Sequence, residues 1–397
     1  AGASALLTER KLEGFSPQLV VADVLQASGR FGCLKRQAFE GNVIAITGSA
    51  GTTTTKNLVA AALAPAGEVH ATIGNQNNEL GVPITLSGLT NNHRFGVIEM
   101  GAGQPGDIAY LCQLARPSVA VCLNASAAHL AHYASVDAIA ATKGEIFEGL
   151  AGNGLAVINA DQEWLPQWRE QAGTARQVTF GLAQDADYRA TDIEHLGMEG
   201  SHFQLLTPSG SQPVSLQLAG EQHVKNALAA LAIAIELGVT PSDAARAVRA
   251  TGAGAGRGAV THLPGGGTVV DDSYNANPAA VNAALQVLSR QPGYRVLVLG
   301  PMLELGENSQ SLHQEVGRNA RQLGIDKLIT VGGEATPAAE AFGRDALCFD
   351  DQAALQSDFP ALPAEYTIWV QGSRRAGLEH PVAWLLNSGG AAPGGSG

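Results

Sequence analysis

The segment Ile46-Thr47-Gly48-Ser49-Ala50-Gly51-Thr52-Thr53-Thr54 carries an apolar run into a helix-forming one, and its residue types suit the capture of an anion. Glycines at 48 and 51 permit a tight turn with inward-facing amides. The helix start that follows adds partial positive charge. Gly48, Ser49, Gly51, Thr52, Thr53 and Thr54 are therefore the candidates for holding phosphate groups, and the Thr53 hydroxyl suits Mg²⁺. A plain strand-to-helix turn would need neither the two glycines nor the run of threonines. Loops of this kind ordinarily have lysine after the last glycine, where its ammonium bridges the β- and γ-phosphates; here the position is Thr52. Lys56 follows one helical turn later, about 6 Å along the axis, too far to take over that bridge. The direct physical expectation is a loop that keeps its shape and binds phosphate more weakly.

Other residues with chemical potential are scattered. Asn75, Asn77 and Asn78 fall in Gly74-Asn75-Gln76-Asn77-Asn78-Glu79-Leu80-Gly81-Val82-Pro83. Glu99 ends an apolar run, His129 follows another, and Lys143 sits in a helical stretch. Arg257 lies in a glycine-rich segment, and Asp271 and Asp272 close a further strand. Taken singly, each has an ordinary explanation as a solvated strand end, a hydrogen-bonded histidine, an exposed lysine or a turn. Only their joint occurrence with the loop argues for a site.

The elements that must position these residues follow from apolar periodicity. Short strands at 42–47, 95–100 and 118–123 alternate with helices at 53–64 and 136–150, which predicts a largely parallel sheet covered by helices. Between about 178 and 218 the pattern changes to alternating strands, including 202–206 and 214–218, read as an antiparallel extension. A long helix over 222–237 and a shorter one from Pro241 close that region. Glycines over 252–258 suggest a hinge. Beyond it, strands at 268–271, 295–300, 327–331 and 367–370 alternate with helices as a second, smaller doubly wound unit.

At 397 residues the chain is long enough for two or three domains. A hydrophobic content of 45% with 15% charged residues describes a globular protein rather than a disordered one. The net charge of −12 lacks the basic footprint of a nucleic-acid binder. No apolar stretch nears the roughly 20 residues of a membrane span, and 1–14 lack the order of a signal peptide. A cytoplasmic protein is expected. The four cysteines are far apart and without CxxC pairing, so they read as small buried hydrophobes. The opening AGASALLTER reads like the middle of a domain, and GGAAPGGSG like a flexible tail.

With the phosphate loop, several ordered motifs resemble those of MurF-type Mur ligases. They are GNQNNELGVP (74–83), VIEMGA (97–102), TKGEIF (142–147), DDSYNANP (271–278), MLELG (302–306) and GSR (372–374). The similarity runs from about Pro17 to Leu386. It implies a Mur-ligase fold: an N-terminal uridine-binding remnant at 1–39, a central ATP-binding domain at 40–256 and a C-terminal ligase domain at 257–397. It also implies a reaction in which ATP phosphorylates the carboxylate of a UDP-MurNAc-tripeptide and D-alanyl-D-alanine attacks the acyl phosphate.

By the same resemblance, Glu99 and His129 would join Thr53 at Mg²⁺, and Lys143 would be carbamylated. Asp272 would hold the ATP ribose, Asn226 and Asn277 the adenine, and Arg257 would reach the phosphates. Asn75, Asn77, Asn78, Ser373 and Arg374 would contact substrate, and a monomer is implied. Five departures from the family pattern fall at such places: Thr52 for lysine, His223 for asparagine, Ala131 for an acidic residue, Pro301 for aspartate and Gln371 for lysine. Two functional expectations follow. One is a MurF-like ligase; the other is a catalytically impaired or repurposed relative that binds ligands or acts on a different substrate.

Overall fold

The computed structural model describes residues 3–127 and 133–388. Two main sheets carry it, with the glycine-rich segment between them. The larger has nine strands. Six neighbouring pairings, from Val69–Ala71 at one edge to Tyr188–His195, are parallel, and the hairpin Ser201–Thr207 with Gly210–Leu216 adds the antiparallel end. Strands such as Asn42–Thr47 and Leu155–Asn159 are apolar along nearly their whole length because helices cover both faces. Helices Thr52–Leu63 and Glu221–Glu236 pack together on one face, and Asp107–Ala115 and Val136–Glu148 pack on the other.

The smaller sheet has six strands, all parallel except Ala259–His262, which pairs antiparallel with Gly267–Asp272. Val296–Leu299 and Ile368–Val370 form its apolar centre. The sheets are separate, as the two alternations predicted, and the second is a smaller, Rossmann-like α/β unit.

Before the first central strand lie two three-residue parallel strands and the helix Val24–Ala38. Only Gly29 and Gly32 of that helix are buried, so this region has no core of its own. It leans on the central unit instead. Arg36 donates to the Ala115 and Arg116 carbonyls at the end of the Asp107–Ala115 helix, at 2.7 and 3.0 Å. No helix among the described residues is long and apolar enough to cross a membrane.

Candidate active site

The phosphate loop leaves the strand Asn42–Thr47 and enters the helix Thr52–Leu63 through Gly51. Gly51 has φ +83°, and a Cβ there would lie 2.7 Å from the Asn226 amide oxygen. Conformation and space both demand glycine. The first amides of the helix, on Thr52, Thr53 and Thr54, have no acceptor within their own helix and are available to an anion.

The other loop amides turn away. Asn124, just past the strand Val119–Cys122, accepts from the Ser49 amide on its backbone carbonyl at 3.1 Å. Its side chain accepts from Ala50 N–H and donates to Ala50 C=O, both at 3.0 Å. The Ser49 hydroxyl accepts from the Ser126 amide at 3.0 Å. The Ser49 amide and hydroxyl thus both serve the loop itself.

Glu99 ends the strand Phe95–Glu99, which pairs with the strand feeding the loop. It is 3% exposed. Its carboxylate accepts from the Thr52 hydroxyl at 3.0 Å, the Thr53 hydroxyl at 3.1 and 3.0 Å, and the Asn77 amide at 3.2 Å. The Thr72 hydroxyl accepts its backbone N–H at 3.0 Å. No basic side chain forms an ion pair with Glu99 among the described residues. A buried carboxylate whose direct donors are all neutral is only partly compensated, here by the Lys56 ammonium acting from a distance. The oxygens of Glu99 and Thr53 are hard donors of the kind Mg²⁺ takes. Among the described residues no cluster of three His, Cys, Asp or Glu forms a metal cage, so ligand and water oxygens would complete such a site, as they usually do for Mg²⁺.

Although Glu99 and Arg257 both feel its charge, Lys56 does not line the cleft. Its ammonium donates to the Thr72 carbonyl at 2.7 Å, and burial lowers its pKa. Lys143, on the helix Val136–Glu148, is 4% exposed and lines the cleft. Burial lowers its pKa too, with Cys122 acting weakly the other way.

The opposite wall belongs to the C-terminal unit. Gly256 N–H donates to the Asp271 carboxylate at 3.1 Å, Gly258 N–H to the Asp271 carbonyl at 2.8 Å, and Tyr274 N–H to the Gly256 carbonyl at 2.9 Å. The glycine-rich turn therefore rides with the C-terminal sheet and carries Arg257 with it. The Arg257 guanidinium lies 4.0 Å from the centre of the Tyr274 ring, and that of Arg374 lies 5.5 Å away. Asp272 accepts from the Trp369 indole at 3.3 Å. Burial pushes its carboxyl up to about 7, against the lowering effects of Trp369 and Arg257.

Several expected ligand contacts are engaged within the protein. Asn277 caps the helix Pro278–Leu288 by accepting from Ala280 N–H at 2.9 Å, and its amide donates across the cleft to the Ser49 carbonyl at 3.3 Å. This bridging position keeps Asn277 on the cleft wall. Asn78 accepts from Gly81 N–H at 2.9 Å and starts the helix Gly81–Ser87. The Ser373 hydroxyl accepts from Leu303 N–H at 2.8 Å, and Arg374 pairs with Glu379 at 3.1 Å. Asn75 remains exposed at the rim, and Asn226 lines the cleft above Gly51. His129 and Ala131 lie outside the described residues.

The remaining departures are legible in space. His223 faces the cleft with its Nδ1 buried and unpartnered, and burial drives its pKa down to about 4. Pro301 and Gln371 are neighbours: Gly300 N–H donates to the Gln371 carbonyl and Ser373 N–H to that of Pro301, both at 2.9 Å. The cleft between the two walls encloses about 1480 Å³, more than the roughly 300–1,000 Å³ of a single small-ligand pocket.

Residues 46–234 match the Mur ligase middle domain and 256–374 the Mur ligase, glutamate ligase domain. The chain is 41% identical over 393 residues to the UDP-N-acetylmuramoyl-tripeptide--D-alanyl-D-alanine ligase of Escherichia coli K12, covering 98% of this chain and 86% of that protein. A crystal structure of MurF from Acinetobacter baumannii superposes with TM-score 0.88 at 35% identity, covering 96% of this chain and 84% of that one. MurF ligase from Thermotoga maritima, solved in complex with ADP, gives TM-score 0.86 at 28% identity, with 98% and 89% covered. Matched over nearly its whole length in sequence and in fold, the chain belongs to the MurF family of Mur ligases.

Proposed function

We propose that this chain joins D-alanyl-D-alanine to UDP-MurNAc-tripeptide at the cost of one ATP. The observation that carries the proposal is one large cleft in which free helix-start amides and the Glu99 cluster face Arg257 and Asp272. An ATP phosphate chain would lie on the amides of Thr52–Thr54, with Gly48 and Gly51 allowing its close approach. Glu99 and Thr53 would hold Mg²⁺, joined by His129 as the resemblance implies; when bound, the ion would neutralise phosphate charge. Arg257 meets the same phosphates from the C-terminal wall, and Asp272 and Asn226 flank the nucleoside.

Once the tripeptide carboxylate has been phosphorylated, the dipeptide amine attacks the acyl carbon, the C–O bond to phosphate breaks, and ADP and phosphate leave. The residues mainly position the reactants and neutralise charge. Lys143, a buried amine biased toward its neutral form, is the residue for carbamylation. Asn75 and Asn77 would meet the peptide substrate at the rim of the cleft. A cytoplasmic monomer, as the family resemblance implies, is part of the proposal.

ADP release measured with ATP, UDP-MurNAc-tripeptide and D-alanyl-D-alanine tests the proposal, with the amide product weighed by mass spectrometry. Release that requires all three substrates supports it. ATP hydrolysis indifferent to both peptides, or binding without product, would instead support the reading of a repurposed or impaired relative, to which the loss of lysine at 52 points.

A further inference from the structure

The phosphate loop presents no basic side chain of its own: position 52 is threonine and the Lys56 ammonium is committed to the Thr72 carbonyl. Of the other cations lining the cleft, Lys143 is buried on the central side, Lys225 is drawn into ion pairs with Asp161 and Glu221 at 3.6 and 3.1 Å, Arg374 keeps one with Glu379 at 3.1 Å, and Arg375 is exposed beside it. Arg257 and Arg374 come from distant parts of the chain, one from the glycine-rich turn and the other from beyond the last strand of the C-terminal sheet. Both guanidiniums lie over one ring, that of Tyr274, at 4.0 and 5.5 Å, within the range of cation–π attraction.

Tyr274 is well placed to hold them. Its backbone N–H donates to Gly256, and a Cβ on Gly256 would come within 3.1 Å of the Tyr274 Cβ, so the turn carrying Arg257 is packed directly against it. Its ring face carries both guanidiniums. We infer that Tyr274 is a positioning residue: its ring gathers Arg257 and Arg374 into a paired cationic seat that supplies, from the C-terminal wall, the charge the phosphate loop lacks. Bringing two like charges to one ring costs free energy in the absence of ligand, and an anion between the walls relieves it. The ligand class is therefore a phosphorylated one, ADP or ATP, and the inference rests on the assignment of the loop to phosphate.

The test measures ADP affinity by calorimetry in the full chain for Tyr274→Leu and Tyr274→Phe, each alone and with Arg257→Ala, with thermal melts as a control on folding. Tyr274→Leu should weaken ADP binding roughly three- to tenfold, as expected from losing such stacking. Tyr274→Phe, which keeps the ring, should recover most of that loss. With Arg257 already replaced, Tyr274→Leu should have a markedly smaller further effect, because residues acting through one another are not additive. Equal weakening in both backgrounds, or failure of phenylalanine to rescue, would overturn the inference and leave a merely structural tyrosine. Absence of ADP binding by the unmodified chain would overturn it together with the loop assignment. ADP binding with no ligase turnover would leave it standing and overturn only the proposed reaction.

Discussion

On the central side of the cleft a carboxylate is buried among hydroxyls and an amide, whereas the C-terminal side presents two arginines on one aromatic ring. The first wall offers backbone dipoles and a seat for a cation; the second offers cations directly. On the proposed function, charge of the kind a phosphate needs is thus divided between two units joined by a glycine-rich segment. Replacing the loop lysine by Thr52 shifts that division toward the C-terminal wall without disturbing the fold, because Thr52 is satisfied by Glu99.

The largest effect should come from breaking the central wall. Glu99→Ala removes the one buried carboxylate there and should lower ADP release by about a hundred- to a thousandfold, in the range for loss of a group that places transition-state charge. A circular dichroism spectrum matching that of the unmodified chain would show that the fold survives. Next, Thr52→Lys makes the two walls more alike. A charge-assisted contact is worth about 1.5–3 kcal/mol, so ATP should bind about one to two decades more tightly by calorimetry. Turnover should rise far less, since groups acting on one phosphoryl are strongly non-additive. Pro301 and Gln371 are backbone neighbours, so Pro301→Asp and Gln371→Lys should be restored together, as a pair of opposite charges rather than two independent repairs.

Smaller effects separate the walls by pH. Burial raises the Asp272 carboxyl from 3.8 to about 7, so the folded chain retains a proton that the unfolded chain has released. That contribution to stability is fully present below about pH 4 and is lost as pH rises through 7. Asp272→Asn should flatten the fall in melting temperature over this window. His223 works oppositely. Its pKa falls from 6.5 to about 4, so its contribution is present above 6.5 and lost as pH drops through 4. His223→Asn should reduce acid lability over that interval, by a degree or so per few tenths of a kcal/mol. An unchanged acid limb in this variant would mean that other groups govern it.

Much of this was legible in the sequence because it is local. The loop glycines, the apolar strands and the strand-terminal Glu99 all follow from short-range pattern, as does the antiparallel extension, although the pattern places its start at about 178 and it begins only with Tyr188–His195, Arg176–Gly181 still pairing parallel. What escaped depends on neighbours brought from afar. Asn124 binds Ala50 from 74 residues away. Thr72 holds the Glu99 amide, and Trp369 reaches Asp272 across 97 residues. No spacing rule announces such contacts. The asparagines are a different case. Asn277 stands immediately before Pro278, the pairing of a helix cap with proline at the first helical position. That signal was present but was overshadowed by the ligand role that the same residue type suggests.

The division of charge between the walls is tested most directly by the ADP affinity of Arg257→Ala measured by calorimetry at fixed Mg²⁺ and salt. The account predicts a loss of about tenfold or more in the chain as it stands, matching the loss of a charged hydrogen-bonding partner. It also predicts a clearly smaller loss when lysine is present at 52, since the loop then holds a cation of its own. An affinity unchanged by Arg257→Ala with Thr52 in place would contradict the account, because the phosphate would then be held without the cation assigned to it from the C-terminal wall.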